Sequence, residues 1–139
     1  MIKSMTQNKE RIKLLIEALE SDEYEQGLRS LNKDNKFCCL GVACEIAIEH
    51  GLELHKFVRN VAPFNKGRVE YDETAAYLPL RAQEWYGIDE SNPLLCWLDN
   101  SGRRYENSAS FLNDRGISFK DIAAAFRRTY LESDEEKEK

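Results

Sequence analysis

Apolar residues recur along this chain with different periods, and each period predicts a different kind of element. Near the start, Ile12, Leu15, Ile16 and Leu19 fall at i, i+3, i+4 and i+7, the spacing of one helical face. Lys9, Glu10, Arg11, Lys13 and Glu17 take the other side, so a helix from about Asn8 to Glu20 should dock its stripe on a core. From Cys38 to His50 the stripe widens: Leu40, Val42, Ala43, Cys44, Ile46, Ala47 and Ile48 leave only Glu45 and Glu49 polar. A helix apolar on most faces is covered on most faces, which makes this the central helix. Gly51 and Leu52 follow it in the manner of a left-handed cap with its apolar contact. Gly41, inside the helix, costs about 1 kcal/mol relative to alanine. Close approach of another backbone explains it best, with a bound ligand as the alternative. The last helix, Ser118 to Leu131, carries the clearest local signal: Ser118 as cap, Asp121 three residues on, and Ile117 and Ile122 at staple spacing. Ile122, Ala125, Phe126 and Thr129 continue its buried face.

Between the second and last helices the period shortens. Phe57, Arg59 and Val61, then Arg68, Val69, Glu70 and Tyr71, read as alternating strands around a Pro63/Asn65/Gly67 turn. Pro79 starts a short helix, Leu80 to Tyr86, which Gly87 ends. Leu94 to Leu98 and Arg103 to Tyr105 form a hairpin closed at Asn100-Ser101-Gly102, with glycine taking positive φ. Asn107 or Ser108 caps a brief helix through Leu112, stopped at Asn113-Asp114-Arg115-Gly116. Ser21 to Lys36 is polar, with Gly27, Asn32, Asp34 and Asn35. It reads as mostly irregular, with a short helical or extended piece between Tyr24 and Leu31. The sum is one α+β domain over 1–131, built on three main helices with a small antiparallel sheet or hairpins. An acidic disordered tail over 132–139 follows.

Several stretches also carry a family likeness. Phe37-Cys38-Cys39-Leu40-Gly41-Val42, followed by Tyr77-Leu78-Pro79, Trp85-Tyr86-Gly87 and Asn92-Pro93, and then by Leu112-Asn113-Asp114 and Gly116-Ile117-Ser118-Phe119, resembles small proteins encoded by tailed phages and prophages. The similarity runs from about Leu14 to Leu131. It implies a phage-linked accessory protein made inside a bacterium, and it implies no reaction. By analogy such proteins act on host proteins or counter host defence.

Charge narrows the partners. The formal net charge is -5, and the tail Glu132 to Lys139 holds five acids and two lysines. The nearly balanced body argues against general nucleic-acid binding, which needs a basic face. A local patch remains compatible with it. No apolar run reaches the roughly 18 residues of a membrane span, and no signal core opens the chain, so the expected location is the cytoplasm of the bacterial host.

The candidate chemistry starts with Cys38, Cys39, Cys44 and Cys96. In a reducing compartment they are thiols, and the bland reading makes them small buried hydrophobes. Their spacing, with His50 and His55, does not match paired zinc ligands, and neither metal nor cofactor is expected. In the alternative reading as a nucleophile, Cys38 or Cys39 near a helix N-terminus has a lowered pKa, because the helix dipole favours thiolate. His50 lies about 16 Å away along the same helix at 1.5 Å per residue, too far to serve as base. Glu45, alone on an apolar helix, must find a donor: a nearby arginine or backbone amide makes it a structural pair, and a pocket around it makes it a binding candidate. Trp85, Trp97, Arg103, Arg104, Tyr105, Asn113 and Asp114 cluster in turns and short elements, where side chains can serve binding. Arginine beside tyrosine and tryptophan can hold a phosphate or stack on a ring. The bland readings are core filling for the tryptophans, a solvated hairpin end for Arg103-Arg104, and a helix stop for Asn113-Asp114. The resulting expectation is a non-catalytic protein that binds a host protein or a small phosphorylated ligand. Its alternatives are a small thiol- or carboxylate-dependent enzyme acting on a nucleotide-like metabolite and a purely structural interaction module.

Overall fold

The stripe Ile12, Leu15, Ile16 and Leu19 is fully covered in a computed structural model, which describes residues 7–59 and 67–132. It belongs to α1, Lys9–Glu20, whose N-cap Asn8 accepts a hydrogen bond from the Arg11 N–H. The covering elements are α2, Cys39–Glu49, and α5, Phe119–Arg127. Leu40, Val42, Ala43, Cys44 and Ala47 of α2 are all at 0% exposure, as a helix apolar on most faces requires. Gly51, at φ +106°, and Leu52 close α2 with two bonds, Gly51 N–H to the Ile48 carbonyl and Leu52 N–H to the Ala47 carbonyl. This is the double cap that glycine permits. Gly41 answers the second question posed by the helix. A Cβ there would lie 1.7 Å from the Leu31 carbonyl oxygen, so the neighbour is backbone.

Ser118 caps α5 as expected, accepting from the Asp121 N–H at 3.2 Å, and Ile122 is fully buried. The helix departs from expectation at its end: α-geometry stops at Arg127, and Arg128–Glu132 form a π-helical turn. Thr129 explains part of this. Its hydroxyl bonds the Ala125 carbonyl and also receives the Cys96 N–H at 2.8 Å, tying the turn to a strand.

The polar stretch from Ser21 to Lys36 is mostly irregular, as expected, with an extended piece between Tyr24 and Leu31 and further strand pairing beyond it that the sequence does not show. It contains three two-residue strands: β1 Glu25–Gln26, β2 Asn32–Lys33 and, ending one residue further on, β3 Lys36–Phe37. Two residues are too few for alternation to register. The turn between β2 and β3 uses Asp34 and Asn35 at φ 55° and 63°. These are residue types that tolerate the left-handed region of a two-residue hairpin. β4 Lys56–Arg59 and β5 Arg68–Tyr71 complete a five-stranded sheet in the order β1-β3-β2-β5-β4. The pair β1–β3 is parallel and the others antiparallel. The expected Pro63 and Asn65 turn residues lie outside the described residues, as does the tail beyond 132.

Three smaller elements follow: α3 Leu80–Tyr86 with Gly87 as its left-handed cap, a β6–β7 hairpin, and α4 Ala109–Asp114. The hairpin pairs Leu94–Leu98 with Arg104–Ser108. Ser108 is the α4 cap, accepting from the Phe111 N–H. Five α-helices and two small sheets among the described residues make a mixed fold, with α3 and α4 as the short helices beside the three main ones. Among the described residues no helix is long and apolar enough to cross a membrane.

Candidate binding groove

The hairpin β6–β7 positions the site. Its register places Trp97 opposite Tyr105 and Leu95 opposite Asn107 on one face, with Cys96 opposite Glu106 and Leu98 opposite Arg104 on the other. Leu95 is buried and anchors the first face to the core. The tip is held by Asp99. Its Oδ1 accepts from the Arg103 N–H, the Ser101 N–H and the Ser101 hydroxyl at 2.8–2.9 Å, and its Oδ2 from the Tyr105 hydroxyl at 3.2 Å. Led by the Arg103 N–H, these donors hold the Asp99 carboxyl below its usual pKa. Gly102 takes φ +84° in this turn, as the sequence predicts.

On the Trp97 face the hairpin, α4 and the connection to α5 enclose a groove of about 350 Å³, lined by Trp97, Tyr105, Asn107, Phe111, Leu112, Arg115 and Ile117. Its walls are aromatic and partly open: Tyr105 is 41% and Phe111 45% exposed. The Arg115 guanidinium sits 5.4 Å from the Phe111 ring centroid. A half-exposed ring under a cation is a surface on which a planar group can stack. Phe111 and Arg115 were missed by the sequence reading. Their spacing, i and i+4 across a short helix, was the available signal.

The remaining candidates disperse. Arg103 lies at the tip, its Nη1 donating to the Tyr105 hydroxyl at 3.4 Å. Arg104 lines a second cavity of about 340 Å³, with Cys96, Glu106 and Arg128 among its other walls. Trp85 lines neither cavity. Its ring packs edge-on to Tyr86 at 4.9 Å and lies beneath the Arg11 guanidinium at 4.4 Å.

Asn113 is fully buried and ties three segments together. Its Oδ1 accepts from Gln26 Nε2 at 3.0 Å and from the Cys39 N–H at 3.2 Å, while its Nδ2 donates to the Gly27 carbonyl at 2.8 Å. Asp114 Oδ1 accepts from the N–H of Arg29, which is held at φ 67°. Glu45 found its donors: Oε2 accepts from the Tyr71 hydroxyl at 2.6 Å and pairs with Lys56 Nζ at 2.9 Å. The Tyr71 hydroxyl also accepts from Asn32 Nδ2, and burial raises the phenol's pKa.

Cys38, Cys39 and Cys44 follow the reading as small buried hydrophobes, and the alternative, a helix-lowered pKa at Cys38 or Cys39, does not hold. Cys38 is 3% and Cys39 and Cys44 are 0% exposed. Burial pushes Cys38 up to about 11 and the other two well above their ordinary value. The helix N-terminus does stabilise the Cys38 thiolate through the Gly41 and Leu40 N–H groups, but loss of water outweighs it. His50 turns away, its Nδ1 against the Ile46 carbonyl at 3.0 Å. No group of three or more His, Cys, Asp or Glu is placed to hold a metal ion among the described residues.

A family model described as a domain of unknown function (DUF8296) matches residues 7–130. No curated protein and no solved structure matches the chain.

Proposed function

The chain belongs to the DUF8296 family of domains of unknown function, and we propose that it is a non-catalytic protein that binds a small phosphorylated ligand carrying a planar ring. The observation that carries this reading is the groove beside the hairpin, where three aromatic residues, one amide and one guanidinium line about 350 Å³. That volume falls within the roughly 300–1,000 Å³ of small-ligand sites. Trp97, Tyr105 and Phe111 would stack on the ring, Asn107 would bond its edge, and Arg115 would meet the phosphate. Buried, proton-retaining thiols and a Glu45 already held by Tyr71 and Lys56 weigh against the enzyme alternative. The likeness to phage and prophage proteins supports an accessory role inside a bacterial host.

The test uses the chain's two tryptophans. Trp85→Phe leaves Trp97 as sole reporter. Titration with a nucleoside monophosphate should change its emission saturably, with Kd below about 1 mM, or -4.1 kcal/mol. The nucleoside alone and ribose phosphate alone should each bind at least tenfold more weakly. Tyr105→Ala and Arg115→Ala should each cost about tenfold, or ~1.4 kcal/mol. No saturable change at millimolar ligand would reject a small-ligand site and leave the groove to a side chain of a host protein.

A further inference from the structure

The sheet register aligns charges in a way no linear reading displays. Lys36 stands opposite Lys33, Lys33 opposite Arg68, and Arg68 opposite Arg59. Directly opposed residues point to the same side of a sheet. The neighbouring row, Phe37-Asn32-Val69-Val58, contains the buried Phe37, Asn32 and Val69, which face the core. The four cations therefore share the outer face. At about 4.8 Å per strand they span about 14 Å. Like charges set opposite one another weaken a sheet, so this row works against the fold that carries it.

Acids surround the row. Glu25 continues it, 3.6 Å from Lys36. Glu70 bonds Arg59 at 2.8 Å. Asp34, at the turn, lies against Gly67. The Lys36–Glu25 pair is exposed on both sides, and such contacts contribute about 0–1 kcal/mol. That pair is exchanged at small cost for a phosphate oxygen, while Glu70, 12% exposed, holds Arg59 more firmly. The Nε of Arg68 is shut off from solvent and has no acceptor among the described residues. At the row's end Phe57, opposite Glu70, is 49% exposed on the same face, with the Arg59 guanidinium 5.3 Å from its ring centroid. Phe57 and Arg59 line a cavity of about 470 Å³ with His55, Glu70 and Glu73.

We propose that this row is a contact surface for single-stranded nucleic acid, the four cations following the phosphates and Phe57 stacking one base. Cations in line select a polyanion, and an adjacent half-exposed ring selects one that offers unstacked bases. The surface is separate from the hairpin groove and does not depend on the ligand proposed there. The whole-chain charge of -5 makes binding weak and confined to low salt.

Fluorescence anisotropy of a labelled oligothymidylate with the full chain tests this. Binding should appear at low salt and weaken with a log–log slope of about -2.8 for four neutralised phosphates on a single strand. The double variant Lys33→Glu, Lys36→Glu should lose at least tenfold. Lys33→Gln, Lys36→Gln, which adds no acid beside Glu25, should weaken binding in the same direction with unchanged circular dichroism. A charge-matched control at the exposed Lys13 and Lys120 should lose less than threefold. Phe57→Ala should weaken oligothymidylate and leave inorganic polyphosphate unaffected. Absence of binding at low salt, equal losses in the control, or indifference to Phe57→Ala would each overturn the proposal.

Discussion

At the scale of single residues, Gly41 shows how a local oddity in the sequence encodes a long-range contact. Glycine in a helix interior is unfavourable, so its presence predicts crowding, and the crowding is the Leu31 backbone. That backbone has no room to retreat, because the Leu31 N–H is bonded to the Ala75 carbonyl at 2.8 Å. Gly41→Ala should therefore destabilise the protein by about 3 kcal/mol or more, the upper end for overpacking. Urea unfolding would measure it, and a loss under about 1 kcal/mol would mean that helix and loop can part there. Glu45 was equally legible as a partly buried acid in need of a donor. Its partners, Tyr71 and Lys56, were not, because they arrive from strands 26 and 11 residues away in sequence.

At the scale of elements, α2 begins without a cap of its own. Cys38 makes no side-chain bond to the first turn, and Asn113, from the end of α4, accepts the Cys39 N–H instead. Asn113-Asp114 reads locally as a helix stop, which describes neither its burial nor its task, since both depend on how α4 lies across α2. Asn113→Ala would leave the buried Cys39 N–H and the Gly27 carbonyl short of a partner, and Gln26 Nε2 with the Ile117 carbonyl alone. The expected loss is about 2–4 kcal/mol in a urea series. Asn113→Asp should not restore it, because the amide donor to Gly27 is gone and a buried charge replaces it. A loss below about 0.5 kcal/mol in both variants would show that α2 starts without this support. The helices with several turns, α1, α2 and α5, were legible from their apolar period, with Gly51 marking the end of α2 and Ser118 the start of α5. The two-residue strands were not, because pairing rather than pattern defines them, and Asp34-Asn35 was their only local mark.

At the scale of the whole molecule, features that need register or enclosure are invisible along the chain, and the four-cation row is one of them. The collective state of the core is another. Three thiols and three phenols, Tyr71, Tyr86 and Tyr130, share the buried interior, and burial raises the pKa of all six. Each is neutral in both states at pH 7. Unfolded, the thiols ionise near pH 8.5 and the phenols near 10. Folded, Cys38 keeps its proton to about 11 and the others are also held protonated. Above the unfolded values the unfolded chain binds fewer protons than the native one, so stability falls as pH rises. The Cys38 contribution is full below about pH 8.5 and is lost on the way to about 11. With three thiols acting together, each at about 1.4 kcal/mol per pH unit above its unfolded value, the loss should be on the order of 6 kcal/mol by pH 10, and steeper beyond as the phenols join. Urea unfolding between pH 7.5 and 10.5 would measure the slope. Cys44→Ala should flatten it by about one proton's worth, even though the cavity it creates lowers stability at every pH. A stability profile flat to pH 10.5 would mean that water reaches the thiols and that the central helix is not enclosed.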